Sequence, residues 1–204
     1  MDVMIDIEGL GQDSNPVVLS IGAVRFDPMA VGKVWPKGLS VLRAPDADFH
    51  DADWFHVNIT IDSAIKAGLS VSGDTIAWWL GAKKDSPGEE ARKALFNPVP
   101  VNIRDAAAEL RRFVSGCDRI WAMPITYDIA CLRAMYGAIA QRVPWKASMV
   151  MDLGTYSNNV PRAETNVAFY GVEHHPVWDA CRQASRVIQV SHWKESWRRK
   201  ANGY

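Results

Sequence analysis

Met1-Asp2-Val3-Met4-Ile5-Asp6-Ile7-Glu8 is the stretch from which the rest of the chain is read. Side chains alternate along an extended strand, so Val3, Ile5 and Ile7 share one face, and Asp6 and Glu8 leave from the other near the strand's end. Two carboxylates side by side in an apolar strand repel one another and resist ionisation unless a cation or basic group lies between them. Hard divalent metals are the usual partner for such oxygens. The alternative is that Asp6 and Glu8 only close the strand before the turn at Gly9-Leu10-Gly11.

Moving outward, Pro16 to Phe26 is rich in branched residues and reads as a second strand. Val31 to Leu42 reads as a third, interrupted at Pro36-Lys37-Gly38. Short connections among three strands imply an antiparallel meander. Residues 43 to 71 form a polar and aromatic connection with one helical segment at Ile61 to Ala67. Asp74 to Leu80 and Ser86 to Leu95 suggest two short helices. From Asn102, a natural N-cap, Ile103, Ala106, Ala107, Leu110, Phe113 and Val114 recur at helical spacing up to Gly116. Arg119 to Met123 reads as a short buried strand, Ile129 to Ile139 as a helix beginning near Thr126, and Lys146 to Met151 as a further strand. The last helix opens at Pro176. Strands without long intervening helices, followed by alternating helix and strand, predict a mixed α/β sheet flanked by helices in a single domain over 1–204.

The 204 residues include 23 Lys plus Arg and 23 Asp plus Glu, so no bulk positive field marks a nucleic-acid coat, although a local basic face is compatible with that balance. Three scattered cysteines, Cys117, Cys131 and Cys181, form no CxxC pair and suggest neither zinc nor a disulfide framework. No run approaches the roughly 18 apolar residues of a membrane span. A cytoplasmic protein with no membrane association is therefore expected. Nine tryptophans supply large flat surfaces for a core, a ligand or self-association into a homo-oligomer.

Three further positions stand at element ends. Asp128 opens a helix, where a carboxylate is favoured whatever its role. Asp179 lies in the first turns of the last helix, off its apolar stripe. His174 and His175 immediately precede that helix. Asp6-x-Glu8 on a first strand, a distant Asp128, and His174 five residues before Asp179 resemble the DEDDh family of 3′–5′ exonucleases. The local wording DIEGLG, VVLSIGAVRFDP, DTIAWW, ITYDIACLRAMY, VPWKASMVMDLGT and HHPVWDACRQA is similar to its phage and bacterial branch.

The resemblance implies a ribonuclease H-like fold, with three antiparallel strands followed by parallel ones, and hydrolysis of DNA or RNA from its 3′ end by two Mg²⁺ or Mn²⁺ ions. Carried over by position, Asp6, Glu8 and Asp179 hold the first metal, Asp6 bridges, and Asp128 helps to hold the second. His174 takes the proton from the attacking water. The related group that uses tyrosine as its base has it four residues before the last acid, where His175 stands here. Of the adjacent Trp78 and Trp79, one is a base-stacking candidate and the other a core residue. Gly9 and Leu10 are candidates for close backbone approach to a nucleotide. The chain departs from the pattern at Gly9, commonly Thr; at Pro176, commonly a small residue; and over Met151 to Thr155, where two arginines of an RDxRT-like stretch are missing. The alternatives are a nucleic-acid-binding module on the same fold without turnover, or an interaction protein that uses its tryptophans at an interface.

Overall fold

A computed structural model describes residues 1–13, 15–39 and 49–202. Its main sheet is built on β1 (Asp2–Gly9), which is buried along its whole length. β2 (Val18–Phe26) pairs with it antiparallel, from Asp2 opposite Phe26 to Glu8 opposite Ser20, with an irregularity between Glu8 and Gly9. Such irregularities bend a strand and re-aim its side chains.

The third antiparallel strand is not the expected Val31 to Leu42 segment but β5 (Trp54–Asn58), which pairs with β2 from Ser20 opposite Asn58 to Val24 opposite Trp54. Within the expected segment, β3 (Lys33–Pro36) pairs parallel with β4 (Phe49–Ala52) in a separate two-stranded sheet. Residues 40–42 lie outside the described residues. The reason for the difference lies in contacts distant in sequence. Val34 donates its N–H to Ser185 Oγ at 2.9 Å and accepts from Tyr170 at 2.9 Å, which ties this segment to the last helix.

Helices α1 (Ile61–Lys66), α2 (Gly73–Trp79), α3 (Glu89–Ala94) and α4 (Ile103–Phe113) follow. In α4 the Asn102 side chain caps the Arg104 N–H, and Ile103, Ala106, Ala107 and Leu110 face inward as the spacing predicts. The chain then enters β6 (Ile120–Ala122), parallel to β1, crosses over through α5 (Asp128–Ala138), and returns as β7 (Val150–Asp152), parallel to β6. The predicted strand from Lys146 is shorter than expected because Ala147–Met149 coils into a 3₁₀ turn first. A short α6 (Leu153–Tyr156) precedes α7 (Pro176–Ala201), which takes in most of the basic tail. The sheet order is β5-β2-β1-β6-β7, three antiparallel strands continued by two parallel ones.

Both faces of the sheet are covered. Val3, Ile5 and Ile7 pack with α4 and α5 through Ala106, Leu110, Ile129 and Leu132. Met4 and Val24, on the other face, pack with α7 through Val177, Ala180, Cys181 and Ala184. Each fully buried Leu, Ile or Val contributes roughly 1.5–3 kcal/mol, so this sandwich holds the ends of β1, α5 and α7 in fixed relation. Gly22 sets the closest approach. It lies opposite Asp6, and a Cβ there would stand 2.2 Å from the Pro176 carbonyl carbon and 2.4 Å from Val177 N. Only glycine lets the first turn of α7 rest on the strand. No helix among the described residues is long and apolar enough to cross a membrane.

Candidate active site

Parallel strands deliver their carboxyl ends to one edge of a sheet, where α/β folds commonly bind ligands. Asp6 and Glu8 stand at that end of β1, and β6 runs parallel beside it before the chain turns into α5, whose first residue is Asp128. The opening of α7, seated on Gly22 opposite Asp6, brings in Asp179. Carboxylate oxygens of Asp6, Glu8 and Asp179 all lie within 4.8 Å of one another. Asp128 is buried close enough to raise the pKa of both strand acids.

This grouping is electrostatically frustrated. Burial, then the Asp128 charge, holds Asp6 and Glu8 well above the usual carboxylate range, with Glu8 adding to the effect on Asp6. Burial pushes Asp128 up to about 7, against backbone hydrogen bonds at Ile7, Met123 and Asp128 itself. Its Oδ2 is buried with no hydrogen-bond partner, a state that normally costs about 1–3 kcal/mol. Among the described residues, two side chains offset the negative charge of the other acids. Gln183 donates Nε2 to Asp6 Oδ1 at 2.7 Å, and Arg182 forms an ion pair with Asp179. Four acids with an orphaned buried oxygen and no cysteine among them suit hard divalent cations held through oxygen.

The two histidines have different surroundings. His175 is the N-cap of α7: its Nδ1 accepts the Val177 N–H at 3.3 Å, and its ring packs 5.0 Å from that of His56. Burial lowers its pKa to about 4. His174 sits at φ +58°, a left-handed conformation that histidine adopts more readily than most residues, and meets the Trp78 ring edge-on at 4.9 Å. Burial lowers its pKa as well, which favours the neutral imidazole.

Beside Glu8 opens a cleft of about 840 Å³ whose walls include Gly9, Gly11, Thr75, Trp78, Lys83 and Tyr127. Trp78 is thus the tryptophan at the cleft. Trp79 is buried in the core and donates Nε1 to the Gly9 carbonyl at 3.1 Å. Gly9 lines the cleft, but Leu10 does not: its side chain is buried in the core and its N–H is spent on the Val17 carbonyl at 2.9 Å. Tyr127 escaped the sequence reading. It donates its hydroxyl to the Gly11 carbonyl at 2.7 Å, and its oxygen would lie 2.8 Å from a Cβ at position 9. The tyrosine thus fills the space that a larger residue at Gly9 would need. Gln183 and Arg182, which hold two of the acids, were also unmarked, because only the fold shows that they face Asp6 and Asp179.

Comparisons with known proteins bear on the family and the fold. Residues 1–191 match the model of the 3′-5′ exoribonuclease Rv2179c-like domain. A search of curated proteins finds no match. Among solved structures, the nuclease domain of 3′hExo, a DEDDh family member, bound to rAMP, is similar with a TM-score of 0.55 at 12% identity, over 99% of this chain and 92% of that one. At that identity the likeness speaks for the fold. It is the fold expected here, a ribonuclease H-like mixed sheet flanked by helices. The match over nearly the whole chain makes it a member of the 3′-5′ exoribonuclease Rv2179c-like domain family.

Proposed function

We propose that the chain hydrolyses phosphodiester bonds from the 3′ end of single-stranded or overhanging polynucleotides with the help of two divalent cations, Mg²⁺ or Mn²⁺. The observation that carries the reading is the convergence of Asp6, Glu8 and Asp179 within 4.8 Å beside a buried Asp128 with an unpartnered oxygen. Asp6, Glu8 and Asp179 would hold one cation, Asp6 would be shared, and Asp128 would help to hold the other. Bound there, the ions would supply Lewis-acid stabilisation of charge on the attacking and leaving oxygens.

The remaining steps belong to the chain's own side chains. His174, whose burial favours the neutral form, accepts a proton from the attacking water. Its ring rests against Trp78, so the same wall that carries the base offers a flat surface to the terminal nucleobase. Gly9, with no side chain, admits the nucleotide close to the strand end, while Trp79 buttresses the turn from behind. Leu10 contributes packing alone. The exoribonuclease designation of the family supports RNA as the first substrate to test.

The test uses purified protein with end-labelled RNA and DNA oligonucleotides, with Mg²⁺, Mn²⁺ or chelator. Stepwise shortening from a free 3′ end, prevented by a bulky 3′ block but not by a 5′ block, is the expected result. Equal degradation of circular and linear strands, or turnover in chelator, would overturn it.

A further inference from the structure

A second cleft, of about 700 Å³, has Asp179 in its wall where the one walled by Trp78 has Glu8, and its character is different. The first cleft offers one cation, Lys83, whose ammonium is committed to Asp74 at 3.0 Å. The second is walled by three guanidinium groups, those of Arg162, Arg182 and Arg186, with Asn166 and Thr165 beside them and Asp179 as its single acid. Asp179, Arg182 and Arg186 are spaced i, i+3 and i+7 along α7, so they share one face. The row leads away from the acids at 1.5 Å per residue, which puts the two arginines about 6 Å apart along the axis.

The donors of this cleft are under-used. Arg186 gives Nη2 to Ser157 Oγ at 3.2 Å and Nη1 to the soft Met123 sulfur at 3.7 Å, and its Nε is buried without any partner. Among the described residues, no carboxylate lies within ion-pair distance of Arg162 or Arg186. Arg182 is anchored to the Tyr170 carbonyl at 2.7 Å with its guanidinium 4.4 Å over the Phe169 ring, which leaves its position fixed and its charge available once Asp179 turns to a cation. A cluster of planar cations with free N–H groups matches the geometry of phosphodiester oxygens.

We infer that this cleft binds the polynucleotide backbone on the 5′ side of the bond being cut, with Arg162 and Arg186 contacting phosphates of the strand that the enzyme retains. The inference rests on the exonuclease reading. If the terminal nucleotide occupies the Trp78 cleft and the reacting phosphate lies over the acids, the cleft that meets the acids at Asp179 and Gln183 is the one left for the rest of the strand. The arginines then provide sequence-independent grip, and the local basic face that a balanced total charge leaves open is found here.

The experiment compares two substrates that share the reacting phosphate. One is a ten-nucleotide single strand; the other is the p-nitrophenyl ester of uridine 5′-monophosphate, which has no nucleotides upstream. Both are assayed with wild type, Arg162→Ala, Arg186→Gln and the double variant, each first checked for an unchanged melting temperature. Arg162 is exposed and safe to truncate, and Arg186→Lys serves as the charge-preserving variant. Expected is a fall in the decamer-to-ester ratio of kcat/KM of about 10-fold per arginine, carried by the decamer KM. The slope of log KM against log salt should drop by about 1 for each arginine removed, and lysine should restore part of the effect. A ratio and slope that stay at wild-type values overturn the inference while leaving the exonuclease reading standing. Wild-type protein that cleaves neither substrate with Mg²⁺ or Mn²⁺ overturns both.

Discussion

β1 carries buried acids at both ends, and the two ends treat them differently. Asp2, 3% exposed, accepts a 2.7 Å hydrogen bond from Trp121 Nε1. Burial raises its pKa, but the indole N–H and Arg119 pull it back. At the other end, Asp6 and Glu8 are each 9% exposed, face a third and a fourth carboxylate, and share one amide donor and one indirect cation. The same residue type on the same strand is thus a settled structural group at one end and an unsettled one at the other. Burial alone does not mark a site; burial without enough donors does.

The sharpest way to break that comparison is to neutralise one acid at each end. Asp6→Asn should remove nearly all nuclease activity and weaken Mn²⁺ binding in calorimetry, yet melt at or above the wild-type temperature without metal, because repulsion is relieved. Asp2→Ala should do the reverse: activity per folded molecule is kept, and about 1–3 kcal/mol of stability is lost because the Trp121 N–H is left unpaired. An Asp6→Asn protein with full activity would end the distinction.

Next in size is the histidine pair. His174→Ala should lower the single-turnover rate at neutral pH by about 10²- to 10⁴-fold with metal binding intact. His175→Ala should lose about 1 kcal/mol as a helix cap and keep most of its rate. A crippled His175 variant beside a near-normal His174 variant would reassign the base.

The unsettled end should also be visible in pH dependence. Asp128 has an ordinary pKa near 3.8 when unfolded and about 7 when folded, and Asp6 and Glu8 shift in the same direction. Native protein therefore binds protons more tightly than unfolded protein. The stability this confers is fully present below pH 4 and is lost as pH rises through 7. Metal-free melting temperature should fall between pH 5 and 8, and added Mn²⁺ should reverse the fall at the upper end. A metal-free profile that rises over this window would contradict the acid cluster.

The smallest expected effect concerns Arg182, which occupies Asp179 in the absence of a cation. Removing that competitor in Arg182→Gln should tighten Mn²⁺ binding by roughly 5-fold, about 1 kcal/mol. Weaker binding would mean that the arginine organises the site instead of competing for it.

Much of this was legible in the sequence, and the parts that were not have a common cause. The apolar run of β1, the N-cap and stripe of α4 and the Pro176 start of α7 are local patterns, and each forms where expected. Asp6 and Glu8 could be placed on one face by alternation alone. β5 was hidden because Trp54-Phe55-His56 is only half-buried and sits at a sheet edge, where no apolar alternation is demanded. β3 was misassigned because its partners, Ser185 and Tyr170, are far away in sequence. The same holds at the site. Tyr127, Arg182 and Gln183 gain meaning only from what the fold sets opposite them, whereas the division of Trp78 and Trp79 into cleft and core follows the helix period once its inward face is known.

Gly22 has no side chain to offer the chemistry, yet the seat of α7 on β2 gives it a hold over catalysis. The position behaves like the set-screw of an instrument. A single methyl group added there must lift the start of the helix, and with it Asp179 and the His174 turn, away from a strand that stays where it is. Loss of function by this route would look like damage to the chemistry while every catalytic side chain remained present, so a screen that scored only the acids and the base would miss the residue on which their alignment depends.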